Sequence, residues 1–374
     1  MVMRNRLVLL VSILLIIITI TDAAEIRIGL FYGKAVKSFV FSVIEGEYVL
    51  SGETQQLALI RKGAIFHIDF TGSKLVVNDT VKLYGRFIRL DFKGVSANNI
   101  FQIKPVDPSL PSKESDDDLA VIITDYGMQL INHLDLEKYI PGAVETEGGT
   151  NAPQEFYKAQ AVIARTFAVK NFYRHASEGF NLCDGVHCQA YNGKCRWNKN
   201  IYDAVLSTKN EILVDNNKQP VITAFHSNCG GITANASDVW NKDLPYLVPV
   251  HDPFCSTSPH STWSRSITSK EWSEYLDRKF FTGSLKPAFT GTGRQKYLDP
   301  VNHKLPLTEI REDLKLNSSY FTISQNNNTV VINGHGYGHG LGLCQEGAIE
   351  MARVGYTYVD ILMFYFRGLN LDKK

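Results

Sequence analysis

Residues 145–177 read ETEGGTNAPQEFYKAQAVIARTFAVKNFYRHAS, and this stretch decides the fold class. Asn151 is a favourable helix N-cap, and Pro153 falls near the first turn, where its missing N–H costs nothing. A helical pattern runs from there to about Ser177, with Phe156, Ile163, Phe167 and Phe172 as its bulk and Gly179 placed to close it. Strand-like sequence flanks this helix on both sides. Upstream, Ile26, Ile28 and Leu30 alternate with polar neighbours, as do Phe39, Phe41 and Val43. Residues 48–50, 65–68 and 87–92 continue that period, and 120–123 and 128–131 resume it. Downstream, 220–225 reads as a strand, and two short helices are expected near 345–353 and 359–366, split by Gly355. The expected class is α+β: a β-rich N-terminal portion, then a mixed α+β core with one long helix.

The chain has 374 residues, 44% hydrophobic and 21% charged, enough apolar content to bury extended cores and too much for long disorder. Lys+Arg 39 against Asp+Glu 38 leaves a net charge of +1, with no basic surplus to neutralise a phosphate backbone, so nucleic acid is not an expected partner. Arg4 and Arg6 precede an apolar run over 7–20, and Thr21-Asp22-Ala23-Ala24 follows with small residues. That pattern is a secretory signal peptide over residues 1–24, the run falling short of the ~20 residues of a spanning helix. An uncleaved anchor is the alternative. Residues 25–118 form the β-rich region, ending in a Pro/Ser/acidic stretch that reads as a linker. Residues 119–374 form the core, with a divergent insertion near 270–328.

Several constellations carry chemistry. Glu147 lies in Glu145-Thr146-Glu147-Gly148-Gly149, read as a Gly-containing loop that presents a carboxylate to a cleft. Glu145, two residues away, would raise its neighbour's pKa toward a general acid's range, while the following helix N-terminus favours the anion. Lys158 and Arg165 are seven apart and share a helix face, either as a solvated stripe or as ligand contacts. Cys183 and Cys188 enclose four residues, and His175 and His187 flank them, a donor set suited to zinc; in an exported chain the two thiols also suit a disulfide. In residues 334–348 glycines alternate with His335 and His339, forcing a tight backbone path without placing both rings on one face. Cys229 and Cys344 keep open a reading as an exported thiol or zinc hydrolase.

Taken in order, these segments resemble one family. LEKYIPG at 136–142 leads to Glu147, then KAQAVIART at 158–166; QAY at 189–191, FHSN at 225–228, Gly230-Gly231, Val239-Trp240, PYL at 245–247, Asp252-Pro253 and the Gly/His loop follow. The series is similar to the stage II sporulation protein D family, which includes proteins described as amidase enhancers. The resemblance covers residue 119 to the C-terminus and, more loosely, the N-terminal part. It implies a peptidoglycan lytic transglycosylase acting on glycan strands, with Glu147 as the catalytic acid/base. The loop departs from the family's usual Pro-Ala-Glu-Met-Pro, which puts the preference for glycans without stem peptides in question. The resemblance further implies a structural zinc on His175, Cys183, His187 and Cys188, and no cofactor for the chemistry itself. Lys158, Gln160, Arg165, His226, Ser227 and Gln345 are candidates to position the glycan, or to brace the motif loops. The expected setting is the periplasm or cell envelope of a bacterium. The competing reading is a non-catalytic peptidoglycan-binding module that stimulates a partner cell-wall amidase.

Overall fold

A computed structural model describes residues 25–373, apart from 54, 73, 78–80, 84–86, 93–98, 197, 280–292, 300 and 303. The expected signal peptide and part of the expected insertion lie outside the described residues. The class is the one the sequence pattern implies, α+β with a β-rich N-terminal part.

Two sheets form the β-rich part. The seven-stranded sheet runs Leu182–Cys183, Glu25–Leu30, Gly127–Asp135, Asp118–Thr124, Phe87–Phe92, Glu47–Ser51, Gln56–Arg61. The six-stranded sheet runs Lys113–Asp116, Ile100–Asp107, Ser38–Glu45, Ile65–Phe70, Leu75–Val77, Val81–Leu83. Alternation along Ser38–Glu45 turns Phe39, Phe41 and Val43 inward, and Phe41 meets Tyr48 of the other sheet edge-on at 5.8 Å. Phe101 stacks on Phe41 at 5.3 Å, so aromatic side chains join the two sheets in one core.

The sheets cross the boundary expected near residue 118. Glu25–Leu30 pairs antiparallel with Gly127–Asp135 in full register, from Glu25↔Asp135 to Leu30↔Leu130. The acidic stretch before it is not a linker. Lys113–Asp116 adds to the six-stranded sheet, and the buried Asp116 takes both Lys194 Nζ contacts, at 2.6 and 2.8 Å. Composition suggested solvent exposure there; a cation 78 residues downstream in sequence compensates the burial instead.

Helix α1, Leu136–Gly148, and helix α2, Gln154–Lys170, pack together at the centre. Both differ from the sequence-level expectation. α1 takes in Glu145, Thr146 and Glu147, which the Gly-Gly pair and Pro141 made look like loop. Asp135 caps it by accepting the Glu137 N–H at 2.7 Å, and Tyr139, Ile140, Ala143 and Val144 are fully buried, so packing outweighs the weak propensity. Gly149, at φ 69° and ψ −168°, is its C-cap, a positive-φ backbone that glycine adopts without strain. α2 stops at Lys170 rather than near Ser177, because Asn171 closes the last turn on the Phe167 carbonyl through both N–H and Nδ2. His175 therefore stands on a separate turn ahead of the short 3-10 helix Ala176–Glu178.

Downstream, Phe225–His226 is the strand left of the expected 220–225 run, paired parallel with Leu343–Cys344. Helices Gln345–Arg353 and Tyr358–Tyr365 match the C-terminal expectation. The three-stranded sheet Thr262–Thr268, Thr329–His335, Phe321–Asn326 has its own core around Trp272, Tyr275, Ile310, Phe321 and Ile332. Much of the expected insertion is thus a packed lobe, not featureless chain.

Candidate functional site

The last turn of α1 turns Glu147 into an open cleft of ≈ 670 Å³. The 186–189 segment forms one wall, Phe167, Asn171 and Arg174 another, and residues 222–225 with Trp240 and His339 the far side. Glu147 Oε1 accepts the Ala190 N–H at 2.8 Å, which fixes the carboxyl. Gln345 Nε2 donates to the Glu147 main-chain carbonyl at 2.9 Å, tying the C-terminal helix to the same turn. Burial raises the Glu147 pKa above the ordinary glutamate value, and the Ala190 N–H opposes this in part. Among the described residues lining the cleft, Glu147 is the one carboxylate.

Glu145 does not act on it as the spacing suggested. Two residues of helix, about 200° of rotation, separate their directions: Glu145 accepts the Arg196 N–H at 3.0 Å and borders a different hollow. Desolvation, not a like charge, shifts Glu147.

The other positions assigned from sequence divide sharply. Gln345 meets Glu147 as described. Lys158 is paired with Glu155 at 2.6 Å, and Gln160 is fully buried with its amide unpartnered among the described residues; neither lines the cleft. His226 is buried, its Nδ1 bonded to the Leu341 carbonyl at 3.0 Å, and burial beside His339 and Arg294 keeps it neutral. Ser227 offers its carbonyl to the Glu346 N–H at 3.0 Å, a brace for the C-terminal helix. Arg165 is a correction. It is 1% exposed and forks onto Glu137 at 2.7 and 2.8 Å, with Nη1 on the Glu211 carbonyl at 3.0 Å, and it does not line the cleft. Arg165→Met is expected to cost about 3–5 kcal/mol of stability by leaving Glu137 and that carbonyl unpaired. Urea denaturation measures it, and an unchanged midpoint would refute the bracing role.

The structure also supplies residues that sequence reasoning passed over. Gln189 is 3% exposed, lines the cleft beside Ala190, and neither its Oε1 nor its Nε2 has a partner among the described residues. Trp240 is 36% exposed and its ring stands 5.8 Å from His339. Burial and the charges of Arg311 and Arg294 push His339 down to about 4, so it is neutral at ordinary pH. QAY and Val-Trp were visible as motif words; what the sequence lacked was their direction. Cys229 and Cys344, read as possible nucleophiles, are fully buried and line no part of the cleft.

The four Cys/His positions come together at the cleft wall. Donor atoms of His175, Cys183, His187 and Cys188 all lie within 4.8 Å of one another. Cys188 Sγ is 3.3 Å from His175 Nε2 and 3.8 Å from His187 Nδ1, and Cys183 Sγ is 3.9 Å from the same His187 nitrogen. His175 Nδ1 faces Glu178 Oε1 at 2.6 Å, the carboxylate–histidine pairing that orients an imidazole toward a metal. Both thiols are free. A turn closed by Cys188 N–H on the Gly185 carbonyl, 3.1 Å, lets the adjacent His187 and Cys188 point to one centre. Two thiolates and two imidazoles at this spacing fit tetrahedral zinc.

Fold and site define an α+β protein with a cleft served, among the described residues, by a single carboxylate. A family profile described as "Stage II sporulation protein" matches residues 124–214. The chain is 34% identical over 263 residues to stage II sporulation protein D of Bacillus subtilis (strain 168), spanning 66% of this chain and 76% of that protein. It is 31% identical over 296 residues to stage II sporulation protein D of Bacillus amyloliquefaciens, spanning 74% and 85%. A Bacillus subtilis (strain 168) protein named amidase enhancer is 27% identical over 289 residues, 62% of this chain and 40% of that protein. The chain belongs to the stage II sporulation protein D family.

Proposed function

We propose that this chain is an exported peptidoglycan lytic transglycosylase that uses Glu147 as both acid and base. A cell-wall-related role follows from the family, and the observation that carries the finer reading is the solitary carboxylate. Hydrolytic glycosidases set two carboxyls about 5–9.5 Å apart, one for the leaving group and one for water or the sugar. A transglycosylase needs one, since the C6 hydroxyl of the muramoyl unit is the nucleophile.

Protonated Glu147 gives its proton to the glycosidic oxygen as the C1–O bond breaks. The resulting carboxylate takes the C6 hydroxyl proton as that oxygen bonds to C1, which closes the 1,6-anhydro ring and restores the acid. Ala190 N–H holds the carboxyl through both steps. Gln189 offers a buried amide to the sugar, and Trp240 an apolar face. Arg174 and Lys242 on the same cleft suit the free lactyl carboxylate of a muramoyl unit without a stem peptide. Zinc on His175, Cys183, His187 and Cys188 would be structural, its donor set complete without water, and would hold the segment that presents Ala190.

Digestion of intact and peptide-free glycan strands by the purified chain alone, read by mass spectrometry, tests the proposal. Anhydro-muramoyl ends, more from the peptide-free strands, are expected. Their absence, with stimulation of an added cell-wall amidase, would move the chain to the enhancer reading. Trp240→Ala is expected to weaken glycan binding about tenfold, or ~1.4 kcal/mol, by removing the stacking face. Titration calorimetry on a Glu147→Gln background measures this without turnover.

A further inference from the structure

We infer that a second, fully enclosed zinc site lies behind the cleft, formed by Cys229, Asp252, Cys255 and Cys344. Their four donor atoms fall within 4.8 Å of one another, and all four residues are 0% exposed. Cys229 Sγ is 3.4 Å from Cys255 Sγ and 3.2 Å from Asp252 Oδ2. Around a tetrahedral zinc with bonds of 2.0–2.3 Å, donors stand roughly 3.3–3.8 Å apart, so these two separations already suit an ion and the whole set lies within reach of one centre. No Sγ–Sγ bond is present, and all three thiols are free.

The surroundings are those of an anionic centre. Cys344 Sγ receives the Cys229 N–H at 3.3 Å and the Gly347 N–H at 3.4 Å, the second from the first turn of the helix it caps. Paired main-chain donors on one buried sulfur suit a thiolate far better than a thiol. Asp252 Oδ2 takes the Tyr365 hydroxyl at 2.9 Å, and Oδ1 the Phe254 N–H at 2.9 Å, which orient the carboxylate as partners of a metal ligand do. Four anionic donors leave a divalent ion net negative, and the half-buried Arg294 guanidinium sits beside them, bonded to the Cys229 carbonyl at 2.7 Å and the Ile232 carbonyl at 2.7 Å. Three thiolates and one carboxylate oxygen select zinc over the hard cations. Binding displaces the thiol protons to solvent.

The site joins three segments that sequence separates: the strand end after His226, the 252–255 turn and the N-terminus of helix Gln345–Arg353. Its last ligand precedes Gln345, whose amide holds the Glu147 carbonyl. The ion would thus brace the helix that holds the Glu147 turn, independently of the His175 cluster.

Zinc content and X-ray absorption of the full chain test this. The C183S/C188S variant, which lacks the first cluster, is expected to retain about one zinc with a shell of three sulfurs and one oxygen. Adding C229S/C255S should remove it. Should that variant fail to fold, the sulfur count from C183S/C188S alone decides. Should C183S/C188S itself fail, the unmodified chain decides, with about two zinc and a mean sulfur count between two and three expected. One zinc or none in the unmodified chain with a shell of two sulfurs, or a zinc-free C183S/C188S variant, overturns the inference. A Cys229–Cys255 disulfide in a non-reducing peptide map replaces it with an oxidised pair.

Discussion

Glu147→Gln is expected to lower glycan cleavage by about 10²–10⁴-fold or more, since one group serves both proton transfers. The amide keeps an oxygen for the Ala190 N–H, 2.8 Å away in the parent, so the local geometry persists while the transferable proton is lost. Glycan affinity should change little, which separates loss of chemistry from loss of binding. The pH profile gives a second readout. Burial raises the Glu147 pKa, so its acid form survives above the ordinary glutamate range, and kcat/KM should fall as pH rises through that raised value. The variant's residual rate should show no such limb. Stability follows the same sign. A carboxyl whose folded pKa exceeds its unfolded one burdens the fold only as pH climbs from the unfolded to the folded value, and fully above it. Glu147→Gln should therefore unfold no earlier than the parent at neutral pH, and somewhat later. Near-normal turnover in the variant would refute the single-carboxylate mechanism.

How much of this was legible in sequence depends on which residues one asks about. Period-two alternation found the strands around Phe39, Phe41 and Ile26, because half-buried pleats leave their mark one residue at a time. Motif order found the family, and it singled out Glu147, which lines the cleft. Local signals misjudged α1, whose Pro141 and Gly148-Gly149 argue against a helix. Gly142 shows what overrode them: a Cβ there would meet Tyr191 Cε2 at 2.6 Å and the Gly193 carbonyl, so the residue serves a close crossing of the 191–193 segment, not a loop. Arg165 failed as a ligand for a related reason. Helical spacing grouped it with Lys158, but Glu137, 28 residues earlier, claims its guanidinium, and no pattern within α2 records that. The acidic stretch before residue 118 failed likewise, through Lys194. Long-range charge partners are what composition and period cannot carry.

Cys183→Ser should unload the His175 cluster and lower stability by about 4 kcal/mol, the range seen when a structural metal is lost. The substitution removes one of two thiolates from a set whose donors all lie within 4.8 Å of one another, and a hydroxyl is a poor zinc ligand at neutral pH. The consequence for activity runs through the loop rather than through α2, which ends at Lys170, before His175. His187 and Cys188 line the cleft, and two residues on, Ala190 donates the hydrogen bond that holds the Glu147 carboxyl. Asp184 pins the start of the same loop by accepting the Phe31 and Tyr32 N–H groups and the Lys113 ammonium. With that end anchored, loss of the metal should free mainly 185–190, loosening the general acid while the sheets stay folded. Elemental analysis should show about one zinc fewer in the variant than in the parent, thermal melts a lower midpoint, and kinetics a fall in kcat larger than any rise in KM. A variant with unchanged melting and unchanged kcat would leave the cluster no structural task, and a Cys183–Cys188 disulfide in the parent by mass would assign the pair to oxidation instead.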